Sequence, residues 1–539
     1  MKESTDNFNS TRRHFYEALL VLGFVLLCGF NLLHHPMWRD ELLPWIFARD
    51  SASIPDLLHN MRYEAQPRLW YLLLYGVVRL VHDPVAIQAT HLLIIGSAVA
   101  LFVRFCPLPF YIKALTVFGY FFVYEYGTIS RNYALGVLLC FAFCARFSKR
   151  EKGYLGLAAI LFLASQADQF AGLIAGGLGG LLILEALMKP EARDRVRAHK
   201  VDAALSFLLI YGGVLLGFWS GIPASDKTNA FFSLGFDPEK ILHAFGAIWD
   251  GFVPFPEPSL LNAWGWGMTG HAVFGPLACH AILGMILFPV TVSFFRRSRL
   301  MLWSYLGGAG LLLLLAFVQG NSYARHAGHF FIWFIICLWL AHYFPISGGL
   351  RPSASKTGKK SRGRLQGIKP EVSGGRPFEL SRFQKLFVCS LLIVHIFDSA
   401  FLSIAGYSNP FSCSKAAALY LEQHDLKKIP ILGYPDYTAM PVSGYANVPI
   451  YYADHRWGTF LIDNNKRRTN LNPNEVMDFI NEFAAQGHQD FIVLLNRPFM
   501  IRREGQIYVP AQVGNLHMEA SFYPCMVGDE SYWIYRYKG

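Results

Sequence analysis

Residues 15–33 read FYEALLVLGFVLLCGFNLL, and residues 37–42 read MWRDEL. The first stretch is long and apolar enough to cross a bilayer as a helix, since about 20 apolar residues span the hydrocarbon core. Two adjacent carboxylates, Asp40 and Glu41, follow at once on its far side. Because charged groups beside a membrane are costly to keep without a use, this order predicts a membrane-embedded fold with chemistry at one membrane surface.

The composition indicates a polytopic membrane protein with one soluble appendix. Hydrophobic residues make up 53% of the 539 residues and charged residues 16%, whereas soluble proteins are about a quarter charged. The net charge of +11 lies mainly in short loops between apolar segments, which indicates membrane topology rather than a nucleic-acid site. We expect the first helix to stay as an anchor, because no small-residue cleavage site follows it.

Basic clusters mark the inner side of the membrane, and the apolar segments between them predict eleven spans with the N-terminus inside. A basic, Gly- and Ser-rich stretch at 351–385 is expected to be a flexible cytoplasmic loop. The segment from Leu69 to Val81 is apolar but short. We expect it to lie in the interface or half-inserted, with a full crossing as the alternative. The predicted spans lie near 15–34, 86–103, 112–124, 132–147, 154–167, 170–187, 203–219, 271–294, 301–318, 330–346 and 386–404.

The last part of the chain is more polar, since hydropathy drops after about Phe411. The fold class is therefore a mostly α transmembrane bundle over 1–405 with a small α/β domain over 411–539 outside the membrane. Cys413 and Cys525 are the two cysteines of this domain and could pair in an oxidising compartment. The predicted elements are strands at 428–434, 450–452, 490–495 and 531–535 and a helix at 475–485.

The acid pair opens a polar outer loop that closes with EAQPRLWY at 64–71. One interpretation is that Asp40 and Glu41 cap a short helix beginning near Leu42, because Asp is a good N-cap. The other is functional. An acid pair in the first outer loop, followed by a Pro-containing entry to the next helix, resembles the GT-C superfamily of membrane glycosyltransferases. More narrowly, it is similar to the protein O-mannosyltransferase and aminoarabinose-transferase type and to the bacterial relatives grouped with family 39. Relatives carry a His-Pro-Pro-Leu-Tyr-Tyr-like string here, and Gln66-Pro67-Arg68 lacks the His and one Pro.

A second string, YEYGTISRNYAL at 124–135, lies at the same predicted face. Its RNYAL part fits an Arg-x-Tyr-x-Leu string that relatives carry at the outer end of a helix. Arg131 and Tyr133 could instead be an interfacial anchor and part of the aromatic belt. That alternative leaves Glu125 beside them unexplained.

A third string, YARHAGH at 323–329, lies between two late spans. Arg325 offers a rigid fork of donors to phosphate oxygens, and His326 and His329 can donate or accept hydrogen bonds. Similar strings recur at this place in GT-C-like bacterial proteins. Interfacial anchoring is the main alternative, and a zinc site is a weaker one because no third ligand is adjacent.

The resemblance implies a polyprenyl-phosphate-linked sugar as donor and an acceptor hydroxyl or amine. Asp40 would be the general base, and Glu41 would orient the acceptor or the sugar. No metal or other cofactor is expected. The expected location is a bacterial inner membrane, with the active site and the C-terminal domain facing the periplasm. The residues expected to bind substrate or lipid phosphate are Arg131, Tyr133, Glu125, Arg325, His326, His329 and Arg68.

A transporter or flippase for a lipid-linked or polar solute is the alternative from another functional class. Such a protein is expected to carry ionisable residues within its spans and an inverted repeat. The two halves of this chain do not resemble one another, and the candidate residues cluster at one predicted face. The sequence therefore favours the glycosyltransferase.

Overall fold

The computed structural model describes residues 2–227, 235–257, 259–261, 264, 271–320, 323–344, 378–503 and 506–539. Within them, seven helices are long and apolar enough to cross a membrane, which indicates a multi-pass membrane protein. The helices of the membrane bundle are α1 (Lys2–Leu33), α2 (Arg39–Asp50), α3 (Ile54–Asn60), α4 (Leu69–Val78), α5 (Val85–Phe105), α6 (Phe110–Val117), α7 (Tyr133–Arg146), α8 (Leu155–Ser165), α9 (Gln169–Met188), α10 (Pro190–Ala198), α11 (Lys200–Ser220), α12 (Pro238–Phe252), α13 (His271–Phe274), α14 (Leu277–Ser293), α15 (Arg299–Gln319), α16 (Ala324–Ala341) and α17 (Arg382–Ser408). The seven long apolar helices are α1, α5, α9, α11, α15, α16 and α17.

The predicted count of eleven spans is not confirmed, because four segments are not single long helices. The segment at 112–124 divides into α6 and a π-turn at Phe121–Glu125, with Gly119 packed against His395 of α17. Helices α7 and α8 contain 14 and 11 residues. Helix α14 contains 17 and starts only after a break at Gly275. All four are shorter than the roughly 20 residues that cross a hydrocarbon core unaided.

The core of the bundle surrounds α16. In an apolar 18-residue stretch of α16, 89% of the residues are buried inside the protein. In the corresponding stretch of α11, 22% are buried. Helix α16 is therefore enclosed by its neighbours, and α11 lies at the periphery. The string at 323–329 begins α16, so its polar side chains sit where the most buried helix reaches one face of the bundle.

Two further predictions concern short or basic segments. Helix α4 has ten residues and is about 15 Å long, half the thickness of a hydrocarbon core. This length suits a half-inserted helix, and its position in a membrane stays a prediction.

The loop predicted at 351–385 lies outside the described residues as far as residue 377. Helix α17 begins at Arg382, before the predicted start at 386.

The sequence predicts a small α/β domain at the C-terminal end, and this region forms a mixed sheet with helices packed on both faces. Strand order in the seven-stranded sheet is β3-β2-β1-β4-β9-β8-β7, with β1 parallel to β2 and to β4 and the other pairs antiparallel. Strands β5 and β6 form a separate hairpin. The elements are α18 (Ser414–Gln423), β1 (Ile431–Tyr434), α19 (Asp436–Ala446), β2 (Ile450–Tyr452), β3 (Arg456–Gly458), α20 (Pro473–Ala485), β4 (Asp490–Leu495), β5 (Ile501–Arg503), β6 (Gln506–Tyr508), β7 (Gln512–Val513), β8 (Leu516–Phe522) and β9 (Tyr532–Lys538).

This sheet domain docks on the helix that carries the acid pair, because α19 packs along α2. Gly444 allows the close approach: a Cβ there would lie 3.1 Å from Ile46 and 3.3 Å from Leu42. Beside it, the Met37 N–H donates a hydrogen bond to the Tyr445 hydroxyl at 2.7 Å. The domain therefore helps to determine where the loop after α1 lies.

Cys413 and Cys525 are brought together at the base of the sheet domain. Both are free thiols and both are buried. A hydrogen bond between the two side chains raises the pKa of Cys413 and lowers that of Cys525. The two thiols are therefore close enough to interact, and whether the two cysteines pair by oxidation stays a prediction.

Candidate active site

Asp40 lies in the first turn of α2 and forms an ion pair with Arg131, 91 positions further along the chain. The Asp40 side chain is 31% exposed and that of Arg131 15%. Burial by itself would raise the pKa of Asp40, but the charges of Arg131, Arg325 and Arg39 outweigh it and hold the pKa below its ordinary value. Asp40 is thus an ionised carboxylate at neutral pH, partly open to solvent.

Glu41 is turned the other way, into the protein. It is fully buried, and its Oε2 lies 2.8 Å from Nε2 of His35. The same oxygen accepts the Trp38 N–H at 3.2 Å, and Oε1 accepts the Ser130 N–H at 2.6 Å. The prediction that Glu41 orients a substrate stays a prediction without support from this geometry, because its hydrogen-bond partners are internal. Glu41 caps α2 and fixes it to the segment that precedes Arg131.

The capping interpretation of the acid pair therefore holds for one residue only. Helix α2 begins at Arg39, earlier than expected, and Glu41 receives the N–H of the preceding Trp38. This arrangement leaves the Asp40 carboxylate available to a small cavity of about 40 Å³. By volume, that space has room for a few water molecules.

The cavity contains a second carboxylate, Glu64, which was not among the predicted site residues. Burial raises the pKa of Glu64, with Lys227 acting against this and Asp40 adding to it. The Tyr71 hydroxyl donates to Glu64 Oε2 at 3.3 Å. The signal was present in the sequence, because Glu64 opens the EAQPRLWY string. The cavity is lined by Asp40, Leu43, Pro44, Glu64, Gln66, Trp70, Tyr71, Arg131 and Asn132.

Arg325 supplies a cation at this face of the bundle. Its backbone carbonyl accepts a hydrogen bond from the Tyr126 hydroxyl at 2.8 Å. Its Nε and Nη1 atoms are buried and have no hydrogen-bond partner within the described part of the chain. The guanidinium stacks 4.3 Å from the ring centroid of Tyr323, and its charge helps to lower the pKa of Asp40. A buried guanidinium with donors to spare is suited to bind an anion.

The two histidines of the third string differ in their surroundings. His326 lies with Nε2 3.2 Å from the Tyr133 hydroxyl, and its ring stacks on Phe170 at 4.7 Å. His329 is 1% exposed, and its Nε2 lies 3.7 Å from Asp168. Asp168 caps the start of α9 by accepting the Ala171 N–H at 2.8 Å. His329 therefore lies beside the start of α9, and the rings of both histidines contact Tyr133.

Glu125 and Arg68 lie apart from the cavity. Glu125 is buried and accepts hydrogen bonds from the Tyr120 hydroxyl at 2.6 Å and from Trp264 Nε1 at 3.1 Å. Arg68 precedes α4, and its Nη1 donates to the Met61 carbonyl at 3.2 Å. Neither side chain lines the cavity. For both, a role in binding substrate stays a prediction without support from the geometry.

The expectation that no metal is needed remains a prediction. Within the described residues, no group of three or more His, Cys, Asp or Glu side chains is arranged to hold a metal ion.

No protein-family model matches the chain, and no curated protein matches it either. A function must therefore be argued from the geometry around Asp40.

Proposed function

We propose that this protein is a membrane glycosyltransferase of the GT-C kind, which transfers a sugar from a polyprenyl-phosphate donor to an acceptor hydroxyl or amine. The observation that carries the proposal is the ionised Asp40 carboxylate, held against Arg131 with Arg325 nearby. A base beside two cations suits a displacement in which a proton is removed and a phosphate departs. We place this face in the periplasm of a bacterial inner membrane.

In the proposed reaction Asp40 accepts the proton of the acceptor as the acceptor atom bonds to the anomeric carbon. The bond from that carbon to the phosphate oxygen breaks at the same time, so one displacement inverts the anomeric centre. Negative charge then grows on the departing phosphate. Arg131 and Arg325 are placed to stabilise that charge, and His326 can donate a further hydrogen bond.

The ion pair between Asp40 and Arg131 couples donor binding to base strength. With the site empty, both arginines lower the pKa of Asp40 and so make it a weak base. A donor phosphate that draws Arg131 and Arg325 toward itself neutralises part of their charge. The pKa of Asp40 then rises, because opposite charges nearby are what held it down. Proton abstraction is favoured only once the donor is bound.

Glu64 is suited to position the acceptor. It shares the cavity with Asp40, and its raised pKa keeps a larger protonated fraction than an exposed Glu has. A protonated carboxyl can donate to an acceptor oxygen while Asp40 takes the proton from it. In this proposal Glu64 replaces Glu41 as the second acid that meets the substrate.

The test is sugar release or transfer from a panel of polyprenyl-phosphate sugars by the purified full-length protein. We expect turnover by the wild type and a loss of about 10²–10⁴-fold in Asp40→Asn. Asp50→Asn is the matched control, because Asp50 ends the same helix and pairs with Arg49 at 2.6 Å. Absence of both turnover and donor binding in the wild type would reject the proposal. Donor binding without turnover would point to a missing acceptor.

One observation favours the transporter alternative. Asp398 lies within the long apolar helix α17, is 1% exposed, and neither of its oxygens has a hydrogen-bond partner among the described residues. An acid at such a position is typical of proton or ion pathways. Uptake of lipid-linked sugar into proteoliposomes, lost in Asp398→Asn and retained in Asp40→Asn, would favour transport over transfer.

A further inference from the structure

An apolar groove lies at the end of the bundle opposite to the candidate active site. Helix α9 starts near that site, where the Gln169 amide donates to the Ala65 carbonyl at 2.9 Å, and runs about 30 Å to Met188. Helix α11 returns from Lys200 to Ser220. The short helix α10 joins them at the far face, and the groove opens between the three.

The groove has the size and the walls of a ligand site. Its volume is about 560 Å³, within the roughly 300–1,000 Å³ usual for small-molecule sites. Leu182, Ile183, Phe207 and Ile210 form an apolar wall along α9 and α11. These helices are apolar enough to cross a membrane, so this part of the groove faces hydrocarbon.

The mouth of the groove is cationic. Arg193, Arg197 and Lys200 line it, and no carboxylate does. The nearby Glu185 is already bound, at 3.0 Å to Arg150 and at 3.1 Å to Arg195. Arg193 donates to the Leu187 carbonyl at 2.7 Å, and Arg197 forms an ion pair with Asp194 at 3.4 Å in which both side chains are largely exposed. Such an exposed pair contributes little, so a phosphate can compete for Arg197 beside Lys200.

A polar group inside the groove also lacks a partner. Ser206 is 3% exposed and lines the groove on α11. Its hydroxyl is buried without a hydrogen-bond partner anywhere in the described part of the chain. Buried hydroxyls are normally satisfied, so this one calls for a bound group that carries a polar atom below the mouth. The ester oxygen of a glycerolipid lies at that depth, between a headgroup and its chains.

The geometry points to a binding site for an anionic phospholipid, with an acyl chain in the groove and the headgroup phosphate at Arg197 and Lys200. Charge complementarity selects this occupant over a zwitterionic lipid, and the ester oxygen at the depth of Ser206 selects it over a fatty acid. Basic pockets between membrane helices are known to bind such headgroups. The site is separate from the one proposed for the sugar donor and makes no use of Asp40 or Arg131.

The test compares phosphatidylglycerol and phosphatidylcholine of identical acyl chains, bound to the purified full-length protein and counted by native mass spectrometry. We expect phosphatidylglycerol to be retained preferentially. The double variant Arg197→Gln with Lys200→Gln should weaken that binding roughly tenfold or more, since each basic group near a headgroup contributes about 1 kcal/mol. Arg296→Gln with Arg297→Gln is the matched control, because these residues precede α15 at the same face and are exposed outside the groove.

A second variant, Ala204→Phe, fills the groove without changing its charge, and it should reduce lipid retention as well. Equal binding of the two lipids, or equal loss in both double variants, would overturn the proposal. Retention of a fatty acid or detergent in place of phospholipid would also overturn it, because the site would then not recognise a phosphate headgroup.

Discussion

Arg39 and Glu530 join the two parts of the molecule across 491 positions of sequence. The Arg39 N–H donates to Glu530 Oε1 at 3.1 Å, and its Nη1 donates to the same oxygen at 3.2 Å. Arg39 is the residue before the proposed base, and Glu530 immediately precedes the last segment of the sheet domain. A movement of that domain therefore shifts the start of α2 and with it Asp40.

This junction predicts a pH-dependent stability. Burial raises the pKa of Glu530 to about 8 from an ordinary 4.5, with Arg39 acting in the opposite direction. The folded protein thus keeps a proton that the unfolded chain has lost. The stabilisation is complete below about pH 4.5 and declines as pH rises toward about 8.

Glu530→Gln should remove that decline, because an amide does not titrate. We expect the melting temperature of the purified protein to fall between about pH 5 and pH 8 in the wild type and to stay flatter in the variant. Glu422→Gln is the control, since Glu422 is 60% exposed in the same domain. An equal fall in both proteins would show that another group controls the pH dependence.

The ion pair at Asp40 predicts a pH effect on activity. Asp40 must be deprotonated to act as a base, so activity is lost as pH falls through its pKa. Arg131→Gln removes the charge that lowers this pKa most and should move the acid limb of kcat/KM to higher pH. The rate at the optimum should also fall, by roughly 10²-fold.

Arg62→Gln is the matched control for this variant. Arg62 belongs to the same outer loop but stacks on Tyr63 and donates to the His59 carbonyl. Its removal should leave the profile in place. An unchanged acid limb in Arg131→Gln would mean that Asp40 is not the group that titrates.

Substitutions of Glu41 and Glu64 are predicted to affect different properties, stability for Glu41 and acceptor binding for Glu64. Glu41→Gln places an NH₂ group where the carboxylate accepts hydrogen bonds from the Trp38 and Ser130 N–H groups, so one buried donor loses its partner. We expect a loss of about 1–3 kcal/mol in the free energy of unfolding. Glu64→Gln should leave stability nearly unchanged and raise KM for the acceptor, because Glu64 lines the cavity. Denaturation and kinetic measurements on both variants separate the two roles, and equal profiles would contradict them.

The absence of a side chain at Gly444 allows α19 of the sheet domain to pack closely on α2. Gly444→Leu forces side-chain atoms into Leu42 and Ile46 and should separate α19 from α2. We expect faster proteolysis between Ser408 and Ser414, together with reduced transfer activity. Gly406→Leu is the control, because no atom lies within 4 Å of a Cβ built there. Retained activity with a loosened domain would show that docking does not control Asp40.

The sequence by itself determined the local features of this protein. The length of the apolar segments identified the seven long helices, because a helix that crosses the hydrocarbon core needs about 20 consecutive apolar residues. Alternation and turn residues identified β1, β2, β4 and α20, since their patterns repeat over a few residues. The strings containing Asp40, Arg131 and Arg325 were recognisable as candidate sites because charged groups beside apolar spans are rare.

Only the tertiary structure decided how these pieces act together. Asp40 and Glu41 are neighbours of the same chemical type, and no local signal separates the one that meets Arg131 from the one that is buried against Ser130. The split at Gly119 and the docking of Glu530 on Arg39 likewise depend on packing between distant segments. Each of these arrangements depends on contacts with residues 89 or more positions away in the chain. Local sequence patterns do not specify such contacts.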